Sequence, residues 1–101
     1  MPALKFKTIN GVTLHYTFEG REQAPPLVFI NSLGTDLRIW DTVMPQFTGR
    51  FTLIRYDKRG HGLSDCPPGP YTIRQHTNDL AGLLEQLQVE PVILIGVSVG
   101  A

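Results

Sequence analysis

One serine of this sequence lies where a nucleophile would be expected. Residues 96–100 read G-V-S-V-G, so Ser98 lies between two glycines directly after the apolar run 92–95. A buried strand followed by G-x-S-x-G is the pattern of a nucleophile elbow, a strained turn that holds the serine hydroxyl at the carboxyl edge of a sheet. The alternative is an ordinary glycine-rich turn, but the lysine of a P-loop and a G-x-G-x-x-G pattern do not occur in the sequence. We therefore expect Ser98 to act as a nucleophile.

The general base that such a serine requires is not evident in the chain. His15, His61 and His76 all precede Ser98, whereas a protein with a nucleophile elbow carries its acid and then its histidine after the serine. We expect His15 and His76 to be surface or boundary residues. The acid and the histidine should then come from a segment beyond Ala101, and the chain alone should be inactive.

The composition of the chain limits the kinds of molecule with which it is expected to interact. The 101 residues suffice for one small domain at most, and 42% hydrophobic with 18% charged residues is ordinary for a globular protein. Nine basic residues balance nine acidic ones, so a nucleic-acid partner is not expected. Cys66 has no cysteine to pair with, and the sequence contains neither a secretory signal nor a membrane-spanning run. We expect a cytoplasmic protein without a membrane partner, a metal site or an organic cofactor.

The apolar pattern predicts an antiparallel hairpin that leads into a mostly parallel sheet. Residues 3–9 and 12–18 come close to alternation on either side of Asn10-Gly11, which is a strong hairpin signal. Three short apolar runs follow, at residues 27–30, 51–56 and 92–95. The first and the last are nearly continuous, which is typical of strands buried on both faces.

Helices are predicted between these strands. Residues 73–87 carry leucines at the spacing of one helix face, and Thr72 is placed to cap the start of that helix. A shorter helix should begin at Asp36 or the threonine before it, include residues 37–43 and close or bend at Pro45. Parallel strands that alternate with helices indicate an α/β fold.

The order of these elements also bears on domain organisation. The last strand, 92–95, should be central in its sheet and should need helices on both faces. We therefore expect residues 1–101 to be the N-terminal portion of a single domain that is cut at the nucleophile elbow, with the remainder absent.

Three segments together resemble the α/β-hydrolase family. They are N-S-L-G-T-D at 31–36, Y-D-K-R-G-H-G-L-S-D at 56–65 and the G-x-S-x-G motif, in the family's order and over essentially the whole chain. More narrowly, N-S-L-G-T-D, R-G-H-G and P-G-P-Y at 68–71 are similar to the 3-oxoadipate enol-lactonases, which are serine hydrolases of bacterial aromatic catabolism. The resemblance implies an α/β-hydrolase fold and cofactor-free hydrolysis of a lactone or ester through an acyl-enzyme, in the β-ketoadipate pathway.

The resemblance also implies roles for individual residues. Ser98 matches the nucleophile, and the backbone N–H groups of Leu33 and Val99 match the two donors that stabilise the negative oxygen of the tetrahedral intermediates. Ser32 is either a hydroxyl of the substrate pocket or a simple loop serine. The enol-lactone carries a free carboxylate, for which Arg38 is a candidate partner, and the alternative is an arginine on the surface.

Other polar residues are expected to hold loops and not to react. The resemblance makes His61 a structural part of the R-G-H-G turn, and it makes Asp57 a brace for that turn with Arg59 as a candidate partner. Asp65 and Asp79 are expected in a turn and on a helix surface, respectively.

Other functions remain open on this scaffold. An esterase or a cofactor-free perhydrolase would use the same serine, and a non-catalytic binding protein would keep the fold without the chemistry. One position departs from the lactonase pattern, because such enzymes usually have a second glycine after the elbow, where this chain has Ala101.

Overall fold

The computed structural model describes residues 5–21, 23–89 and 92–97. Its regular elements are five strands and one α-helix. In chain order they are β1 (Lys5–Ile9), β2 (Val12–Gly20), β3 (Pro26–Ile30), β4 (Thr52–Tyr56), α1 (Ile73–Leu87) and β5 (Ile93–Gly96). Within the described residues, no helix is both long and apolar enough to cross a membrane.

The N-terminal hairpin forms as predicted. β1 and β2 pair antiparallel, with Ile9 opposite Val12. Between them, Asn10 and Gly11 have φ angles of 51° and 78°, as the tight turn of a hairpin requires. Ile9 and Val12, which flank this turn, both belong to a buried core cluster.

The five strands form one mixed sheet in the order β1-β2-β4-β3-β5. β2 pairs antiparallel with β4, whereas β3 pairs parallel with both β4 and β5. The predicted α/β architecture, with a hairpin that leads into a parallel sheet, is thus confirmed. β5 lies at one edge of the sheet that the described residues build, so its predicted central place stays a prediction.

Helix α1 covers one face of the sheet. Thr72 begins the helix with a capping box, in which its hydroxyl accepts a hydrogen bond from the Gln75 backbone N–H at 3.0 Å and the Gln75 side chain accepts one from the Thr72 N–H at 2.8 Å. The fully buried Leu83 packs into a cluster with residues of β1, β2 and β4. The predicted helix and its cap are both confirmed.

The opposite face of the sheet is covered by two short 3₁₀ turns, Leu37–Trp40 and Met44–Gln46. The predicted α-helix through residue 43 is therefore wrong. The predicted cap is correct, since the Asp36 carboxylate accepts a hydrogen bond from the Arg38 N–H at 2.8 Å. Pro45 lies near the start of the second turn, where its missing N–H removes no intrahelical hydrogen bond, and the chain is divided into two turns instead of one helix.

Candidate functional site

Two loops leave the sheet at neighbouring strand ends. The β3 loop comprises residues 31–36, and the β4 loop comprises residues 57–65. Because β3 and β4 are adjacent and parallel, both loops lie at the carboxyl edge of the sheet. Ligand sites of open α/β sheets lie at this edge.

Asp57 joins the β4 loop to its surroundings. Its carboxylate, which is only 2% exposed, accepts hydrogen bonds from the Leu37 N–H at 2.8 Å, the Leu63 N–H at 3.0 Å and the His15 ring at 2.8 Å. A Cβ at Gly62 would lie 2.3 Å from this carboxyl group, so the turn closes around Asp57 with no room for a side chain there. The structure therefore makes Asp57 a brace of the kind that the sequence predicts.

The partners of two charged residues differ from the predicted ones. Arg59 pairs with Asp79 and not with Asp57, through contacts of 2.7 Å and 2.9 Å. Asp79 is 1% exposed, so its predicted place on a helix surface is wrong. The hydrogen bonds to Asp79 raise the pKa of Arg59. This bidentate pair ties the β4 loop to helix α1.

The three histidines have different environments. His15 is buried against Asp57, so the predicted surface or boundary position is wrong, because the β4 loop covers this face of β2. His76 is half-buried, as a boundary residue should be, and burial lowers its pKa. His61 lies in its turn and bridges to the β3 loop, a contact that the sequence did not predict.

Asn31 fixes the start of the β3 loop. It is 1% exposed, its amide nitrogen donates to the Tyr56 carbonyl at 2.8 Å, and its amide oxygen accepts from the Trp40 indole N–H at 2.7 Å. Both partners can play only one role, so they determine the orientation of the amide. An asparagine at this position thus joins the β3 loop to β4 and to the first 3₁₀ turn.

The tip of the β3 loop is more open. Leu33 is 47% exposed, and Gly34 has a φ of +80° with nothing within 4 Å of a Cβ built there. The Thr35 hydroxyl donates to the Ser32 carbonyl at 2.6 Å within the loop. Across the part of the chain that the structure describes, the Leu33 N–H donates to neither a backbone nor a side-chain acceptor. Within the described residues, a ligand oxygen would therefore displace no protein acceptor from this N–H.

The segment that leads to Ser98 lies beside this loop. Gly96, at the end of β5, pairs with Ile30 at the end of β3, and the Val97 N–H donates to the Ile30 carbonyl at 3.4 Å. Ser98 and Val99 themselves lie outside the described residues. Ser98 follows Gly96 by two positions and Leu33 follows Ile30 by three, so both continue from paired ends of adjacent parallel strands.

Arg38 lies on the surface, shortly after the β3 loop. Its side chain is 79% exposed and makes contacts with Asp36 of 3.0 Å and 2.8 Å. The hydrogen bond from Arg38 holds the pKa of Asp36 below its usual range. A cavity of about 290 Å³ that both residues line is bounded by Asp57 but not by Leu33. The contact of Arg38 with a substrate carboxylate stays a prediction.

The described residues contain no group of three or more His, Cys, Asp or Glu side chains arranged to hold a metal ion. Among the described residues, the tip of the β3 loop offers the backbone N–H of Leu33 and the hydroxyls of Ser32 and Thr35. A backbone N–H is the type of group that stabilises a developing negative oxygen.

Comparison with known families agrees with this architecture. The profile of the alpha/beta hydrolase fold matches residues 25–101, which is more than half of the chain. The chain belongs to the alpha/beta hydrolase fold family. The predicted family and fold class are thereby confirmed.

Individual members of the alpha/beta hydrolase fold family resemble the chain closely. It is 41% identical over 103 residues to "3-oxoadipate enol-lactonase 2" of Acinetobacter baylyi, a match that covers 99% of this chain and 39% of that protein. The crystal structure of the enol-lactonase from Burkholderia xenovorans LB400 superposes with a TM-score of 0.91 at 42% identity, covering 95% of this chain and 38% of the other. A hydrolase from Pseudomonas aeruginosa superposes with a TM-score of 0.92 at 41% identity, over 96% and 37% of the two chains. The chain therefore spans less than half the length of these relatives.

Proposed function

We propose that this chain is the N-terminal part of a serine hydrolase domain that cleaves a carboxylic ester or lactone, with 3-oxoadipate enol-lactone as the substrate. The main support is the Leu33 N–H, which has no acceptor among the described residues and lies at the same sheet edge as the strand that leads to Ser98. The similarity to two enol-lactonases supports the choice of substrate. Such a substrate belongs to the β-ketoadipate pathway of aromatic catabolism.

In the proposed reaction, the Ser98 hydroxyl attacks the lactone carbonyl. The hydroxyl proton passes to a histidine, and the carbonyl oxygen becomes negative while it accepts hydrogen bonds from the N–H groups of Leu33 and Val99. Collapse of this intermediate breaks the ring C–O bond, and the enol oxygen leaves with the proton. Water then attacks the acyl-enzyme by the same steps and releases the acid. Each backbone donor contributes a factor of about 10² to 10³ in kcat.

The histidine and its acidic partner are proposed to lie in the remainder of the same domain. The family's order of serine, acid and histidine places both after Ser98. Loss of such partners lowers turnover by about a millionfold in a serine protease, so the chain alone is proposed to be inactive. The small polar substrate and the single cysteine fit a cytoplasmic protein.

Two further substrate contacts are proposed with unequal support. Ser32 is partly buried in the β3 loop, next to Leu33, and its hydroxyl is a candidate for the substrate pocket. Arg38 is the candidate for the substrate carboxylate, although its exposure and its pairing with Asp36 favour a surface role. Replacement of Arg38 by alanine separates the two roles, because a carboxylate contact raises KM for the enol-lactone and leaves KM for a neutral ester unchanged.

The function is tested on the complete domain. By this we mean the chain with the residues that its gene encodes after Ala101 or, if the reading frame ends there, the chain joined to the C-terminal part of the Acinetobacter relative. The complete domain and its Ser98→Ala variant are assayed with 3-oxoadipate enol-lactone, with neutral aryl esters and with peracid formation. We expect preference for the enol-lactone and loss of turnover in the variant.

The other outcomes decide between the alternatives. Preference for neutral aryl esters, or peracid formation as the main activity, would replace the lactonase by an esterase or a perhydrolase. Turnover that persists in Ser98→Ala would reject the serine mechanism. A folded complete domain without turnover on any of these substrates would favour the non-catalytic binding protein.

A further inference from the structure

His61 connects the two loops of the candidate site. Its Nε2 atom lies 2.9 Å from the Gly34 backbone nitrogen, and its Nδ1 atom lies 3.0 Å from the Arg59 carbonyl oxygen. One contact reaches across to the β3 loop, and the other stays within the β4 loop. The imidazole ring therefore spans the gap between the loops.

The chemistry of the two partners determines the state of the ring. The Gly34 N–H can only donate, so Nε2 must accept with its lone pair. The Arg59 carbonyl can only accept, so Nδ1 must carry a proton. Both contacts exist together only in the neutral ring with its proton on Nδ1. A second proton on Nε2 would face the Gly34 N–H directly and would remove the contact.

His61 itself is held firmly in the β4 loop. Its backbone N–H donates to the Lys58 carbonyl at 2.9 Å, and its carbonyl accepts from the Ser64 N–H at 3.1 Å. The same loop is anchored by the Asp57 brace and by the buried contact of Arg59 with α1. A side chain at this position can serve as a fixed point for a neighbouring loop.

The tip of the β3 loop lacks comparable support from packing. Leu33 is half exposed, and a Cβ at Gly34 would meet nothing within 4 Å. Among the described residues, the Thr35 hydroxyl bonds within the loop alone. The contact with His61 is thus the hydrogen bond from outside the loop that restrains the peptide between Leu33 and Gly34 in the described structure.

We propose that His61 is a positioning residue for the Leu33 oxyanion donor. By accepting the Gly34 N–H, it fixes the peptide plane that follows Leu33 and limits the directions that the Leu33 N–H can adopt. This inference rests on the proposed function. Removal of an oxyanion donor lowers kcat by about 10² to 10³. Removal of its restraint leaves the donor present but misaligned, so we expect a smaller loss, on the order of tenfold to a hundredfold.

Asparagine and glutamine separate the two contacts of the ring. The Gln side chain can place its oxygen near the Nε2 position and accept the Gly34 N–H. The Asn side chain reaches only the Nδ1 position, where it can donate to the Arg59 carbonyl. In the complete domain, we expect His61→Asn and His61→Ala to lower kcat within the range above with KM changed less than about twofold, and His61→Gln to retain most of kcat.

Hydrogen exchange of the Gly34 amide provides a readout that does not depend on turnover. We expect faster exchange in His61→Asn and His61→Ala than in the wild type and in His61→Gln, with unchanged exchange in helix α1. The inference is overturned if His61→Asn keeps wild-type kcat, if His61→Gln loses as much as His61→Asn, or if Gly34 exchange does not change. An inactive wild-type complete domain rejects the proposed function instead, so the two failures are distinguishable.

Discussion

Replacement of Asp57 by asparagine tests the brace between the two loops. The Asp57 carboxylate accepts three hydrogen bonds, two of them from the backbone N–H groups of Leu37 and Leu63. An amide has one oxygen and one NH₂ group. With the NH₂ group in the Oδ1 position it faces the Leu37 N–H, and in the Oδ2 position it faces the Leu63 N–H. In either orientation one backbone N–H loses its acceptor, either the buried one of Leu37 or the partly buried one of Leu63.

The expected loss of stability follows from these contacts. A buried donor without an acceptor costs about 1–3 kcal/mol. Hydrogen bonds to a charged acceptor are worth about 1 kcal/mol more than those to a neutral one, so the remaining bonds of Asp57 also weaken. We expect Asp57→Asn to lower the free energy of unfolding by about 3 kcal/mol, which is a large part of the roughly 5–15 kcal/mol of a typical domain.

Asp65 offers a matched control. Its exposed carboxylate accepts one backbone hydrogen bond, from the Thr13 N–H at 2.9 Å, and an asparagine oxygen can keep that bond. Both variants are measured in the complete domain by urea unfolding, followed by far-UV circular dichroism. We expect Asp65→Asn to change the free energy of unfolding by about 0.5 kcal/mol or less. Equal losses in the two variants would refute the role of Asp57 as the brace.

Three further predictions concern stability in the same complete domain. Thr72→Ala should lower the free energy of unfolding, measured in urea, by about 1 kcal/mol because the helix loses its cap. Thr77→Ala on the same helix should lower it clearly less. Equal effects of the two variants would contradict the capping role. Gly34→Ala should lower the free energy of unfolding by only about 1 kcal/mol, because the positive φ is unfavourable for alanine but the added Cβ meets no atom. Gly62→Ala should cost several times more, because its Cβ would meet the Asp57 carboxyl group. Similar melting temperatures of the two variants would contradict this prediction. Burial lowers the pKa of His76 in the folded chain. Below about pH 6.5 the unfolded chain therefore binds a proton at His76 more readily than the folded chain does, and stability is lost as the pH falls. His76→Gln should therefore lose less stability than the wild type between pH 7.5 and 5, and parallel pH profiles would refute this assignment.

Local signals account for the parts of the fold that the sequence predicted well. The helix bounds 73–87 follow from leucine spacing and the Thr72 cap, and the hairpin follows from alternation around Asn10-Gly11. The segment 37–46 was predicted less well, because aromatic packing against the sheet and Pro45 favour two 3₁₀ turns over one α-helix. Local propensity does not report such tertiary effects.

In the candidate site, too, local patterns were predicted well and long-range contacts were not. Motif patterns placed the β3 and β4 loops correctly, but the partners of individual side chains depend on long-range packing. Asp79 could have been predicted as buried, because it precedes the core residue Leu83 by four positions and shares its helix face. The burial of His15 offered no such signal, since residues of the β4 loop cover it from more than forty positions away. The contact of His61 with Gly34 likewise joins distant segments.

The most direct test of the central claim is the site of covalent labelling by a fluorophosphonate. Such a probe reacts with a serine hydroxyl that is activated by a base and faces oxyanion donors. The complete domain is incubated with the probe, digested and mapped by mass spectrometry, with Ser98→Ala and the isolated 101-residue chain as controls. An adduct on Ser98 of the complete domain alone is the predicted result. A complete domain that is folded and unlabelled, or labelled at another residue, would contradict the assignment of Ser98 as the nucleophile.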